Sequence, residues 1–221
     1  EARSLKTKHV SALVEHWLGN DLDDATIRNR LTWLRWWAGR IDKPNVVERD
    51  NAAYGLSPRP DDPMNRAQRL DMDKFRRIAS PHVRASILLQ VHFGLRREEA
   101  IKFRPLEAIQ SDRIVLKPSW TKGGRPRWIP ITTEAQQTVL KEIQKLIMGN
   151  ASLIPPDKSY AEQLKIYEYQ TLQADLRNTH GFRHAYAQRR YQILTGWPCP
   201  MAGGKRRHKM LPEERALDRT A

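Results

Sequence analysis

The 221-residue chain holds a single cysteine, Cys199, so no intrachain disulfide can form. That suits a reducing compartment and excludes a small disulfide-stapled secreted fold. No apolar run approaches the ~20 residues that a bilayer-spanning helix needs. The charged opening, Glu1 to Lys8, is not a signal peptide, and a cytoplasmic protein is expected. No Gly-x-x-x-x-Gly-Lys-Ser/Thr is present, so no nucleotide-phosphate loop is indicated. Acidic residues are in deficit, 25 Asp and Glu against 39 Lys and Arg, for a formal net charge of +14. The sequence pI is near 10.2. Such a field gathers polyanions, which makes nucleic acid the leading partner. Charge alone leaves ribosomal proteins, nucleases and surface-active proteins open.

The length allows one core, or one and a fraction, so a small domain joined to a larger one fits. Val10, Leu13, Val14, Trp17 and Leu18 recur at helical spacing. After a turn at Gly19 and Asn20, a second helix carries Ile27, Leu31, Leu34 and Ala38. On it Arg28, Thr32 and Arg35 form one basic stripe, which reads either as a solvated face or as a DNA contact. Two helices seldom fold alone, so this segment needs further chain to cover its apolar side. Periodicity lapses from Tyr54 to Arg69, where Pro58, Pro60 and Pro63 crowd together, and this places a linker over 58–69 between domains at 1–57 and 70–221.

Beyond the linker, Val83, Ile87, Leu88 and Val91 predict a buried helix ended by Gly94, with a new helix starting near Arg96. Two β-prone runs, Arg113 to Leu116 and Trp128 to Ile131, bracket Gly123 and Gly124, a pair suited to a tight hairpin. Thr133 with Gln136 and Ser159 with Glu162 have capping-box spacing. The first leads into a helix with Ala135, Val139, Leu140, Ile143, Leu146 and Ile147 on one side. A further helix is expected from Phe182 to Leu194, then a loop from Gly196 to Arg207. The class is therefore mainly α with a small β-hairpin or sheet.

Three separated stretches carry the chemistry: Gly94-Leu95-Arg96-Arg97-Glu98-Glu99, Thr121-Lys122-Gly123-Gly124-Arg125, and His180-Gly181-Phe182-Arg183-His184. Attack on a phosphodiester puts negative charge on two non-bridging oxygens, and guanidiniums offer paired donors that stay charged. Arg96 and Arg183 suit such a clamp. His180 titrates in a range fit for moving a proton near neutrality. Taken singly, each of these residues is more often structural or solvated, and His180 reads as a helix cap. His180 and His184 have the spacing of a helical zinc pair, but Gly181 stands where a metalloprotease has glutamate and Arg183 repels a cation, so no metal and no cofactor are expected.

Together the stretches resemble the tyrosine recombinase (phage-type integrase) pattern: an arginine after Gly-Leu with an acidic residue three positions on, a lysine on a β-hairpin, and a His-x-x-Arg opening a later helix. The resemblance spans about 70–194 and implies a catalytic domain preceded by a partial helical core-binding domain. It implies Arg96, Lys122, His180 and Arg183 as catalytic residues, Lys122 protonating the leaving oxygen, and Glu99 bracing Arg96. It also implies double-stranded DNA as partner, a homotetramer on DNA with dimeric intermediates, and integration or excision of a mobile element through a 3′-phosphotyrosyl link. Arg28, Arg35, Arg125 and Arg127 are candidate DNA-positioning contacts. The family's nucleophilic tyrosine is not recognisable. Tyr186 and Tyr191 lie within two turns of Arg183, and Leu211 to Ala221 reads as the start of another helix, so the chain is expected to lack a C-terminal segment and to be inactive in cleavage. A non-catalytic DNA-binding protein on the same scaffold, and a type IB topoisomerase, are the alternatives.

Overall fold

The computed structural model describes residues 4–58, 64–147, 149 and 151–221. The chain divides into two compact units, Glu1–Pro63 and Met64–Ala221. Part of the expected linker, 59–63, lies outside the described residues, and 64–71 follow no regular structure.

In the first unit, α1 (Thr7–Gly19) and α2 (Asp24–Arg40) pack through Val10, Val14, Ile27, Leu31 and Ala38. Asp23 caps α2 by accepting the Thr26 N–H at 2.7 Å. Leu13 and Leu18 of the expected apolar stripe are exposed. The chain after α2 folds back through two short 3-10 turns, Pro44–Val46 and Asn51–Tyr54, and adds Val47 and Leu56 to the core. This return segment also engages both arginines of the expected basic stripe. Arg28 is buried and donates to the Ser57 carbonyl and to Asp24. Arg35 Nε donates to the Glu48 carbonyl at 2.8 Å and Nη2 to Asn51 Oδ1 at 2.8 Å. Irregular chain leaves carbonyls without ladder partners, and the two guanidiniums supply the donors. Both arginines of the stripe are thus engaged within the unit, Arg28 buried and Arg35 half-buried, while Thr32 between them is exposed.

The second unit runs α3 (Met72–Arg76), α4 (Pro81–Phe93), α5 (Arg97–Ile101), α6 (Pro105–Ala108), β1 (Arg113–Leu116), β2 (Arg127–Pro130), α7 (Glu134–Leu146), α8 (Tyr160–Gln173), α9 (His180–Thr195) and α10 (Pro212–Thr220). Helix α4 is buried on two sides, which explains its nearly continuous apolar run. Ala85, Leu89 and Phe93 meet Ile114, Leu116, Ile129, Val139 and Ile143. Val83 and Ile87 meet Tyr167, Leu176 and Phe182. The antiparallel strands pair Arg113 with Pro130 and Leu116 with Arg127. Their connection is longer than a tight hairpin: a 3-10 turn at Pro118–Trp120 buries Trp120 before Gly123 and Gly124 turn at φ of 82° and 64°. Both capping boxes form. In α7, Ala135 is exposed and Gln136 is buried instead, because its amide accepts from Thr132 and Thr133 and donates to the His92 carbonyl.

Gly94 ends α4 at φ 61°, and a Cβ there would stand 2.4 Å from Tyr186 Cδ1. Left-handed geometry costs other residues about 1–2 kcal/mol, and this close approach adds overpacking. Gly123 has φ 82° but open space around it. Gly94→Ala is therefore expected to lower unfolding free energy by about 3 kcal/mol and Gly123→Ala by about 1 kcal/mol in denaturant titration. Equal losses would contradict the packing account.

Candidate functional site

The α4-to-α5 turn sets the first arginine. Gly94 reverses the chain, Leu95 is buried, and Arg96 takes the N-cap position of α5. Glu99, three residues on, reaches back: its Oε2 accepts the Arg96 backbone N–H at 2.7 Å and its Oε1 accepts Arg96 Nη1 at 2.9 Å. The Glu99 side chain is 1 % exposed and that of Arg96 37 %, so the carboxylate is a buried brace and the guanidinium still meets solvent. Arg127, which opens β2, donates Nη2 to the same Glu99 Oε2. It was expected as an outlying DNA contact. Strand alternation puts it on the face of buried Ile129, and that period is the signal that could have found it.

Helix α9 sets the second arginine and the histidine. At Gly181 a Cβ would lie 2.7 Å from the Arg66 carbonyl oxygen and 2.7 Å from Gln68 Cβ, and the Gly181 carbonyl accepts the Gln68 N–H at 3.0 Å. The irregular stretch after residue 63 thus crosses the start of α9 at a distance only glycine allows. Arg183, one turn in, donates Nη1 to the Gly94 carbonyl. Burial lowers the pKa of Arg183, and the neighbouring Arg127 and Arg96 charges lower it further, against Glu99. Arg127 is lowered by burial and by Arg96, again opposed by Glu99. His180 is pushed below 6.5 by burial, then by His184, Arg183 and Arg96, and its ring lies edge-on to His184 at 5.0 Å.

Arg96, Arg183, His180 and Glu99 are thus brought together, with Arg127 added. Lys122 and Arg125 are not: both side chains are exposed on the β1–β2 connection, where Thr121 Oγ1 donates to the Arg125 carbonyl at 2.7 Å. Among the described residues no hydrogen bond or ion pair joins Lys122 to the cluster. No group of three or more His, Cys, Asp or Glu among them is placed to hold a metal ion, and no helix is long and apolar enough to cross a membrane. A cavity of about 240 Å³ adjoins the cluster, lined in part by Gly94, Arg127, Arg183, Tyr186 and Arg190.

The family model described as "Integrase" matches residues 66–189, and "Phage integrase, N-terminal" matches 1–43. The chain belongs to the phage integrase family of tyrosine recombinases. No curated protein matches it by sequence. The Tn1549 transposon integrase, solved with circular intermediate DNA, is similar in fold, with a TM-score of 0.59 at 12 % identity over 100 % of this chain and 86 % of that one. The XerH site-specific recombinase, in a post-cleavage complex on palindromic difH, gives 0.55 at 21 % identity over 97 % and 67 %. Its pre-cleavage complex gives 0.51 at 20 % identity over 86 % and 61 %.

In this integrase-family chain the charge excess is not shared evenly. Residues 1–63 carry ten Lys and Arg and ten Asp and Glu, so all of the +14 belongs to the second unit. Tyr186 packs on Gly94 with its pKa raised by burial. Tyr191 donates to Asp218 Oδ1 at 2.8 Å, and burial and that carboxylate both raise its pKa.

Burial also depresses His92 below 6.5, helped by Arg189. A depressed histidine resists the protons that the unfolded chain accepts, so its contribution to stability is whole above the unfolded pKa and is lost as pH falls through the folded one. Thermal stability is expected to hold from pH 8 down to about 6.5 and to decline below, with His92→Gln flattening the decline. A pH-independent difference between the two proteins would count against this.

Proposed function

We propose that the protein is a site-specific DNA recombinase that integrates or excises a mobile element. The observation that carries this is the convergence of Arg96, Arg183 and His180 beside one buried carboxylate. Arg96 and Arg127 share the one carboxylate and Arg183 donates to the Gly94 carbonyl, so the cluster holds uncompensated positive charge, which a phosphate bridging Arg96 and Arg183 satisfies. As the phosphorus goes five-coordinate its non-bridging oxygens gain charge, and fixed donors stabilise that state above the ground state. His180, whose pKa is lowered by burial and then by its cationic neighbours, accepts the proton of the attacking tyrosine. Attack forms the 3′-phosphotyrosyl bond and breaks the bond to the 5′ oxygen, which Lys122 protonates. The ester conserves bond energy, so ATP is not consumed.

One movement is part of this reading. Lys122 reaches the cluster only if the Gly123-Gly124 turn closes on DNA. Tyr186 packs on Gly94 and Tyr191 is bonded to Asp218, so neither is assigned as the nucleophile. Four protomers on two duplex sites, with dimeric intermediates, make the exchange. The engagement of Tyr186 against Gly94 and of Tyr191 with Asp218 favours a second reading, a non-catalytic DNA-binding protein on this scaffold.

The whole gene product on a nicked attachment-site duplex separates the two. The recombinase forms a covalent protein–DNA adduct on a denaturing gel, and Arg183→Ala slows it by about 10²–10³ while duplex binding persists. An adduct that forms as fast in Arg96→Ala and Arg183→Ala as in the unaltered protein would sink the clamp. No adduct at all, with tight salt-sensitive binding, would establish the second reading. Affinity is expected to fall with salt at a log-log slope near −0.9 per neutralised phosphate.

A further inference from the structure

Arg127 has no task in the reaction just derived, yet it is built into its centre. Its Nη2 shares Glu99 Oε2 with the Arg96 backbone N–H, while Oε1 holds Arg96 Nη1. Its Nε is buried without an acceptor. A buried donor left unsatisfied costs about 1–3 kcal/mol, and such a group in a native fold calls for a reason. The Arg127 charge also acts on Arg183, after burial the largest influence there.

A one-to-one Arg96–Glu99 pair would be close to neutral, and a neutralised guanidinium receives phosphate poorly. A carboxylate shared by two guanidiniums neutralises neither. It is also held from both sides, so it cannot swing and carry Arg96 with it. We propose that Arg127 is a positioning residue for DNA cleavage: through the shared Glu99 carboxylate it fixes the Arg96 guanidinium and leaves that guanidinium's charge available to the scissile phosphate. This rests on the reading of Arg96 and Arg183 as the phosphate clamp. Arg127 itself acts through Glu99 and does not touch DNA.

The test is single-turnover cleavage of the nicked duplex by the whole gene product, comparing Arg127→Met, Arg127→Lys, Arg96→Lys and the Arg96→Lys/Arg127→Met pair. Arg127→Met is expected to slow cleavage by roughly 10- to 100-fold with DNA affinity changed by less than about twofold and an unaltered salt slope. Arg127→Lys, which keeps a cation on Glu99, recovers part of the rate. On the Arg96→Lys background the Met substitution adds little, because its effect passes through Arg96. Multiplying losses in the pair, or a salt slope lower by about 0.9, would show a direct DNA contact and overturn the proposal. Unchanged cleavage by Arg127→Met would overturn it as well. Should Arg127→Met fail to fold by its melting curve, Arg127→Lys carries the cycle: a partial loss that vanishes on the Arg96→Lys background supports the proposal, and a multiplying one overturns it. Absence of any adduct from the unaltered protein would sink the recombinase reading, a result distinct from fast cleavage by the Arg127 variants.

Discussion

The Glu99 carboxylate is withdrawn from water and touched from two elements, by Arg96 at the start of α5 and by Arg127 at the start of β2. Removing two charges from solvent is costly, and breaking a buried pair by deleting one partner costs several kcal/mol more. The helix start and the strand start are thereby tied to one point. Arg183, from α9, closes the group through the Gly94 carbonyl. Segments some ninety residues apart in sequence are thus set by hydrogen bonds with the directional preference that guanidinium and carboxylate impose.

Two glycines let the elements come this near. At Gly94 both the left-handed φ and the Tyr186 ring exclude a side chain. At Gly181 the exclusion comes from the backbone of residues 66–68 passing over the start of α9. Each glycine stands directly beside residues of the cluster, so the placement of the cations is a consequence of backbone approach as much as of charge. The first unit has balanced charge and uses Arg28 and Arg35 internally, so the net positive charge that attracts a polyanion lies in the second unit.

Much of this was legible in the sequence where the signal is local. Apolar spacing located α1, α2 and α4, and capping boxes located the starts of α7 and α8, because those residues satisfy orphan donors within three positions. Gly94 was readable as a helix end, and Arg96, His180 and Arg183 as motif residues. What escaped depended on chain far away in sequence. The seam of Arg28 and Arg35 needed carbonyls of a return segment with no periodicity of its own, and the burial of Gln136 needed the end of α4 as an acceptor. Arg127 needed both the strand register and a carboxylate 28 residues earlier. The 3-10 turn that buries Trp120 ahead of Lys122 lengthens the connection beyond what the Gly-Gly pair alone disclosed.

The most direct measurement is a structure of the protein with a duplex carrying its recombination site. The account places the non-bridging oxygens of one phosphate at about 3 Å from guanidinium nitrogens of both Arg96 and Arg183, with Glu99 still bridging Arg96 and Arg127. A duplex seated on another surface, leaving those two guanidiniums open to solvent, would contradict it.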